Sequence, residues 1–170
     1  AKGMSPQNAG ILLVAQPVVM ALFSPLAGRI SDRMEPARLA SAGMGVCALG
    51  LLLFVFAGTE STIWRIAANL ALLGFGFALF SSPNMSAIMG SVPKRFYGIA
   101  SGTVATMRLL GQMLSMAVAT VTFAVVIGKQ PISAANLPLF LTSMRICFGI
   151  FTILCFCGMF FSLRRGVLRN

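Results

Sequence analysis

The stretch Gly28-Arg29-Ile30-Ser31-Asp32-Arg33-Met34-Glu35-Pro36-Ala37-Arg38 separates two long apolar runs and holds two of the three acidic residues in a chain of 170. An Asp followed by Arg at such a place calls for a local electrostatic reason, because 58% of the chain is hydrophobic and only 9% is charged. The mean hydropathy of +0.92 lies far outside the soluble range, in which about half of the residues are apolar and about a quarter charged. The chain therefore reads as membrane-integral.

Working outward from that stretch, five apolar runs follow one another at 9–26, 39–57, 63–89, 98–127 and 139–163. Each reaches or approaches the roughly 20 residues that a helix needs to cross about 30 Å of hydrocarbon. Lipid offers no partners to backbone amides, so each run must satisfy its own. The expected fold is an all-α, polytopic membrane bundle of five transmembrane helices.

A net charge of +10 and a pI near 11.2 are also the footprint of a nucleic-acid-binding protein. The positions of the charges exclude that reading. Arg29, Arg33, Arg38, Lys94, Arg95, Arg164, Arg165 and Arg169 fall on one side of a five-span arrangement, and Lys2, Lys129 and the near-interface Arg65 on the other. By the positive-inside rule the first side is cytoplasmic, which places the N-terminus outside and the C-terminus inside. Trp64 and Tyr97, the one Trp and the one Tyr, sit at span ends, where amphipathic rings belong.

The spans differ in polarity. The second is aliphatic with several Gly and Ala, and the fifth is rich in Phe, Leu and Ile, so both suit lipid over much of their circumference. The first contains Gln16-Pro17, the third Asn69 and Ser81-Ser82-Pro83-Asn84, and the fourth Arg108 and Gln112. In the fourth span Ser101, Ala105, Arg108, Gln112, Ser115, Ala119 and Thr122 alternate spacings of four and three, which share one helical face. Thr103 and Thr106 fall off that stripe.

Arg108 stands about 15 Å along its helix from the start of the span, where an unpaired charge costs about 2.5 kcal/mol or more. Two readings are open. Arg108 and Gln112 line a solute pathway, or the small residues Ser101, Ala105, Gly111 and Ser115 allow close helix packing and Arg108 bonds to a neighbour's carbonyls. Pro17 and Pro83 each remove a helical hydrogen bond and can kink their helices. The carbonyls they free lie near Gln16 and Asn84, which either line the same cavity or bond between helices. Arg145, within about two turns of the end of the fifth span, can snorkel outward.

What the spans lack matters equally. Asp32, Glu35 and Glu60 all lie between spans and there is no His, so no intramembrane carboxylate or imidazole of this chain can exchange a proton near neutral pH. No nucleophile and base pair, phosphate-binding glycine loop or metal-type cluster appears, so no enzyme, cofactor or metal site is expected. Cys47, Cys147, Cys155 and Cys157 read as small hydrophobes within spans.

Gly28-Arg29-Ile30-Ser31-Asp32-Arg33 followed by Arg38 resembles the loop signature of the major facilitator superfamily. Met4-Ser5-Pro6-Gln7-Asn8-Ala9-Gly10, Tyr97-Gly98-Ile99-Ala100-Ser101-Gly102 through Arg108-Leu109-Leu110-Gly111, and Ser162-Leu163-Arg164-Arg165-Gly166 are similar to its fourteen-span drug/proton antiporters, the EmrB/QacA type. Glu35 stands where the signature has Gly, so that Glu35-Pro36 starts the next helix, and Ser115 stands where a second Gly is common.

The resemblance implies that the five spans are the last five helices of a C-terminal half. Spans one, three and four then line the central cavity, and two and five are more peripheral. It further implies efflux of amphipathic compounds by rocking of one half against the other, with proton-carrying acids in the half not present here. On that basis Gln16, Asn84, Arg108 and Gln112 are the candidate substrate-pathway residues. Gly28, Asp32, Arg33 and Arg38 form a gating element, with Asp32 capping a helix or pairing with a nearby Arg. The partners implied are a small-molecule substrate, membrane lipid and the remainder of the transporter in a prokaryotic cell membrane. Two alternatives stand beside this: an exporter or uniporter of small metabolites such as amino acids, sugars or organic anions, and a truncated, non-transporting membrane protein that acts through a partner.

Overall fold

The computed structural model describes residues 6–31, 33–58, 62–128 and 137–167. Five long helices account for nearly all of them: α1 (Pro6–Ser31), α2 (Pro36–Val55), α3 (Ile63–Gly90), α4 (Tyr97–Val126) and α5 (Leu137–Val167). All five are long and apolar enough to cross a membrane, and no strand occurs among the described residues.

The first connection is shorter than the polar stretch suggests. α1 runs on to Ser31, and the amides of Arg33 and Met34 both bond to the Ile30 carbonyl at 3.0 Å. Gly28 and Arg29 therefore belong to the last turns of a helix, and only 32–35 connect it to α2. Glu35 takes the N-cap position of α2 with Pro36 directly after it, a residue preset for the first helical turn and without an amide to leave unpaired. This matches the start expected at Glu35-Pro36. α1 continues through Pro17 and Pro25, and α3 through Pro83. Each proline deletes one donor, which a helix supported by neighbours tolerates.

α2 and α3 form the centre of the bundle. They cross where Gly43 meets Gly76: a Cβ on Gly43 would stand 2.6 Å from the Phe80 backbone nitrogen, and one on Gly76 would stand 2.7 Å from Cys47 Sγ. Only the absence of side chains lets the backbones come so close, and that closeness supplies the dispersion contact that drives helix association in lipid. Asn69 adds a buried hydrogen bond from Nδ2 to the Gly50 carbonyl at 3.0 Å.

α1 lies against the other side of α3. Gly74 admits the Gln16 carbonyl, and Phe23 meets Phe75 edge-on at 5.1 Å. On the far side α5 packs on α2 through Phe54 and Phe148, stacked at 5.1 Å, and through a hydrogen bond between Ser41 and Ser162 of 2.8 Å.

The second span is the most enclosed helix, with Leu39, Ala40, Ser41, Gly43, Cys47, Ala48 and Gly50 buried, because its small residues accept a neighbour on each of two sides. The outlying helix is α4. It has no buried residue and touches α5 mainly near its C-terminal end, where Phe123 stacks on Phe140 at 5.6 Å.

Candidate functional site: a cleft between α3 and α4

A tight turn joins α3 to α4. The Ser91 amide bonds to the Ile88 carbonyl at 3.2 Å, the Phe96 amide to the Pro93 carbonyl at 2.9 Å, and the Arg95 guanidinium lies 4.6 Å over the Phe96 ring. From this turn the two helices diverge and leave a cleft of about 730 Å³. Its walls are largely apolar, with Phe80, Met85 and Ile88 from α3 and Val104 and Met107 from α4. Four polar residues interrupt them: Ser81, Asn84, Thr103 and Arg108. The volume falls within the roughly 300–1,000 Å³ of small-molecule sites, and a mainly apolar lining with few polar groups is their usual chemistry.

The structure thus brings Asn84 and Arg108 into one cavity from two helices. At the helical rise Arg108 stands about level with Phe80, and Asn84 lies about a turn nearer the connection. The other two candidates are elsewhere. Gln16 lies on the α1 side of α3, with its carbonyl against Gly74, and does not line the cleft. Gln112 is exposed one turn beyond Arg108 and is not in the lining either.

The polar stripe on α4 and the face that looks into the cleft are therefore different faces that meet at Arg108. The cleft face carries Ile99, Ala100, Thr103, Val104, Met107 and Arg108. Thr103, off the stripe, belongs to the cavity, although its hydroxyl already donates to the Ile99 carbonyl at 3.0 Å. The sequence signal for this face is the apolar spacing Ala100, Val104, Met107, which many helices share.

Among the described residues, much of the α4 stripe meets no neighbouring helix. Nothing stands within 4 Å of a Cβ placed on Gly111, and Ser101 and Ala105 are exposed. The small residues that bring backbones together are those of α2 and α3. Arg108 has no hydrogen-bond or ion-pair partner among the described residues.

At the end of the bundle that carries the first connection, Arg38 Nε pairs with Glu35 Oε2 at 2.9 Å, both side chains being solvent-accessible. Arg29 and Arg33 lie with Leu26 and Ile30 around a shallow hollow of about 390 Å³. Gly28 meets α3, where a Cβ would stand 3.2 Å from Ser82 Oγ. Asp32, the acid of the signature, lies outside the described residues, and the N-cap position of α2 belongs to Glu35, which makes no side-chain cap bond.

At the opposite end Arg145 reaches the Ala57 carbonyl at 3.4 Å, so that its charge sits by the C-terminus of α2, the negative end of a helix dipole. A smaller cavity of about 350 Å³ between α2 and α3 is bordered by Phe54, Arg65 and Asn69.

Comparison with known proteins places this geometry in context. Residues 1–168 match the Major Facilitator Superfamily. The chain is 26% identical over 158 residues to the riboflavin transporter RibZ of Clostridioides difficile, a match covering 93% of the chain and 35% of RibZ. It is 30% identical over 117 residues to the multidrug resistance protein Stp of Mycobacterium tuberculosis, covering 69% of the chain and 22% of Stp. It is 28% identical over 145 residues to the methyl viologen resistance protein SmvA of Salmonella typhimurium, covering 85% of the chain and 28% of SmvA. The chain therefore spans about a third or less of the length of these relatives. No solved structure matches it significantly.

Proposed function

Because the chain belongs to the Major Facilitator Superfamily, we propose that it is the C-terminal portion of an exporter of amphipathic small molecules, of the fourteen-span drug/proton antiporter type, with the α3/α4 cleft on its solute pathway. The observation that carries the reading is the convergence of Asn84 and Arg108 in a cleft with otherwise apolar walls. Such walls take up a hydrophobic body of variable shape, and the polar pair orients it. The resistance named for Stp and SmvA supports efflux of foreign compounds as the task.

The complete carrier works by rocking its halves around a midplane site and is proton-coupled. Since α1 to α5 contain no carboxylate or imidazole, the coupling groups lie in other parts of the carrier. The basic end of the bundle, with Arg29, Arg33, Arg38, Lys94 and Arg95, faces the cytoplasm. There Gly28, Asp32, Arg33 and Arg38 serve as the gate element that meets the other half in one of the alternating states. Gln16 and Gln112 act on the pathway from outside the cleft, as parts of surfaces that the other half approaches.

In the full-length carrier, Asn84→Ala and Arg108→Ala are expected to lower export of amphipathic substrates about tenfold or more at unchanged membrane abundance. Unchanged export and substrate range in both variants would sink the proposal. A second reading, export or uniport of a metabolite, is favoured by RibZ, named as a riboflavin transporter, whose match extends over 93% of the chain. Competition between riboflavin and an organic dication in the same vesicles separates the two.

A further inference from the structure

Between Ile63 and Val126, which form α3, the connecting turn and α4, the chain has four basic residues, Arg65, Lys94, Arg95 and Arg108, and no acidic one. Arg108 lines the cleft within the span, while Lys94 and Arg95 stand in the turn at the cleft's narrow end, beside the lining residue Phe96. None of the five helices carries a carboxylate. The described residues around the cleft therefore supply positive charge and no negative charge to balance it. An unpaired charge within a span is costly, so that of Arg108 must be met by something brought to it.

We infer that Arg108 is the receiving pole for an anionic oxygen pair, a carboxylate or its equivalent, that enters the α3/α4 cleft on a solute or on another helix of the carrier. The inference rests on the reading of the cleft as the solute pathway and adds the charge of what enters it. The planar guanidinium offers two parallel N–H donors at the spacing of two carboxylate oxygens, a match that an ammonium does not provide. Asn84, across the cleft on α3, offers a neutral donor and acceptor for a second polar group. A bare organic cation is repelled unless a carboxylate has already neutralised Arg108.

The test uses the full-length carrier in nanodiscs and three probes on one scaffold: 2-naphthoate, 2-naphthamide and 2-naphthyltrimethylammonium. Where the solute brings the charge, Arg108→Gln weakens naphthoate binding about tenfold or more, leaves naphthamide within about twofold, and Arg108→Lys keeps part of the loss back. Where another helix brings it, Arg108→Gln weakens all three probes or lowers folded yield, and neutralising one membrane Asp or Glu elsewhere in the carrier restores both. If Arg108→Gln leaves all three probes within about twofold, or abolishes folding that no such neutralisation restores, the inference is wrong. Maleimide labelling of Thr103→Cys, over the native-cysteine background, tests the pathway reading separately. Protection by a probe upholds the cleft even when Arg108 proves indifferent, and no protection by any probe overturns the cleft itself.

Discussion

Asn69 on α3 donates Nδ2 to the Gly50 carbonyl on α2 at 3.0 Å, while its equally buried Oδ1 has no partner among the described residues. The side chain is thus held by one bond and ties the two central helices. Interhelical hydrogen bonds in membranes contribute about 0.6 kcal/mol on average and up to about 1.7. Asn69→Ala should cost an amount in that range in reversible unfolding from detergent. Asn69→Asp should cost more, because it turns an oxygen toward the Gly50 carbonyl and leaves it without a donor. Equal stability of Asp and Asn at this position would contradict the geometry.

The glycines divide into two classes that the sequence does not separate. At Gly43 a methyl group would meet backbone atoms of Phe80 and Gly76 at 2.6 and 2.8 Å, and backbone cannot step aside as a flexible side chain can. Gly43→Ala is expected to destabilise the 170-residue chain by about 1–3 kcal/mol, the usual cost of overpacking. Gly111→Ala meets open space and should be neutral or stabilising by up to about 1 kcal/mol, since Ala is the better helix former. Thermal unfolding of the pair decides the matter, and a reversed order of stability would refute the α2/α3 crossing described above.

The ion pair between Arg38 and Glu35 spans 2.9 Å but lies at the surface. Exposed pairs of this kind are typically worth about 0–1 kcal/mol. Glu35→Gln should therefore shift unfolding by no more than about 0.5 kcal/mol, less still in high salt. A larger loss would mean that Glu35 does more than partner Arg38.

Arg145 is bonded to the Ala57 carbonyl at 3.4 Å rather than free in the interface. A cation by a helix C-terminus contributes about 0.3–1 kcal/mol. Arg145→Ala should lose that much and Arg145→Glu more, because a negative charge there opposes the dipole. If Glu proves no worse than Ala by chemical unfolding, Arg145 only snorkels.

Much of the fold was legible in the residues. Apolar runs of sufficient length become helices because lipid leaves the backbone no other way to satisfy its amides, and the start of α2 at Glu35-Pro36 follows from the fixed φ of proline. The end of α1 was less legible. Arg29 and Ser31 are charged or polar like a loop, yet nothing around them breaks a helix, and α1 continues to Ser31. Of the four pathway candidates, the structure gathers Asn84 and Arg108. A period of three and four shows which residues share a face of α4, but not which way that face is turned.

The sequence alone determines five runs long and apolar enough to cross a membrane as helices, the strongly basic balance and the confinement of the acids to the stretches between those runs, because hydrophobicity, length and charge are properties of the chain. It also carries the resemblance to the major facilitator superfamily, and at that level the family match bears it out. Only the tertiary structure decided that α2 and α3 are the centre, that α4 lies at the margin, and that Arg108 shares a cleft with Asn84 and Thr103 rather than with Gln16. Those outcomes depend on where small residues of different helices meet. A glycine becomes a contact only when another backbone arrives opposite it, as Gly76 does at Gly43, and the sequence of one helix does not contain the position of its neighbour.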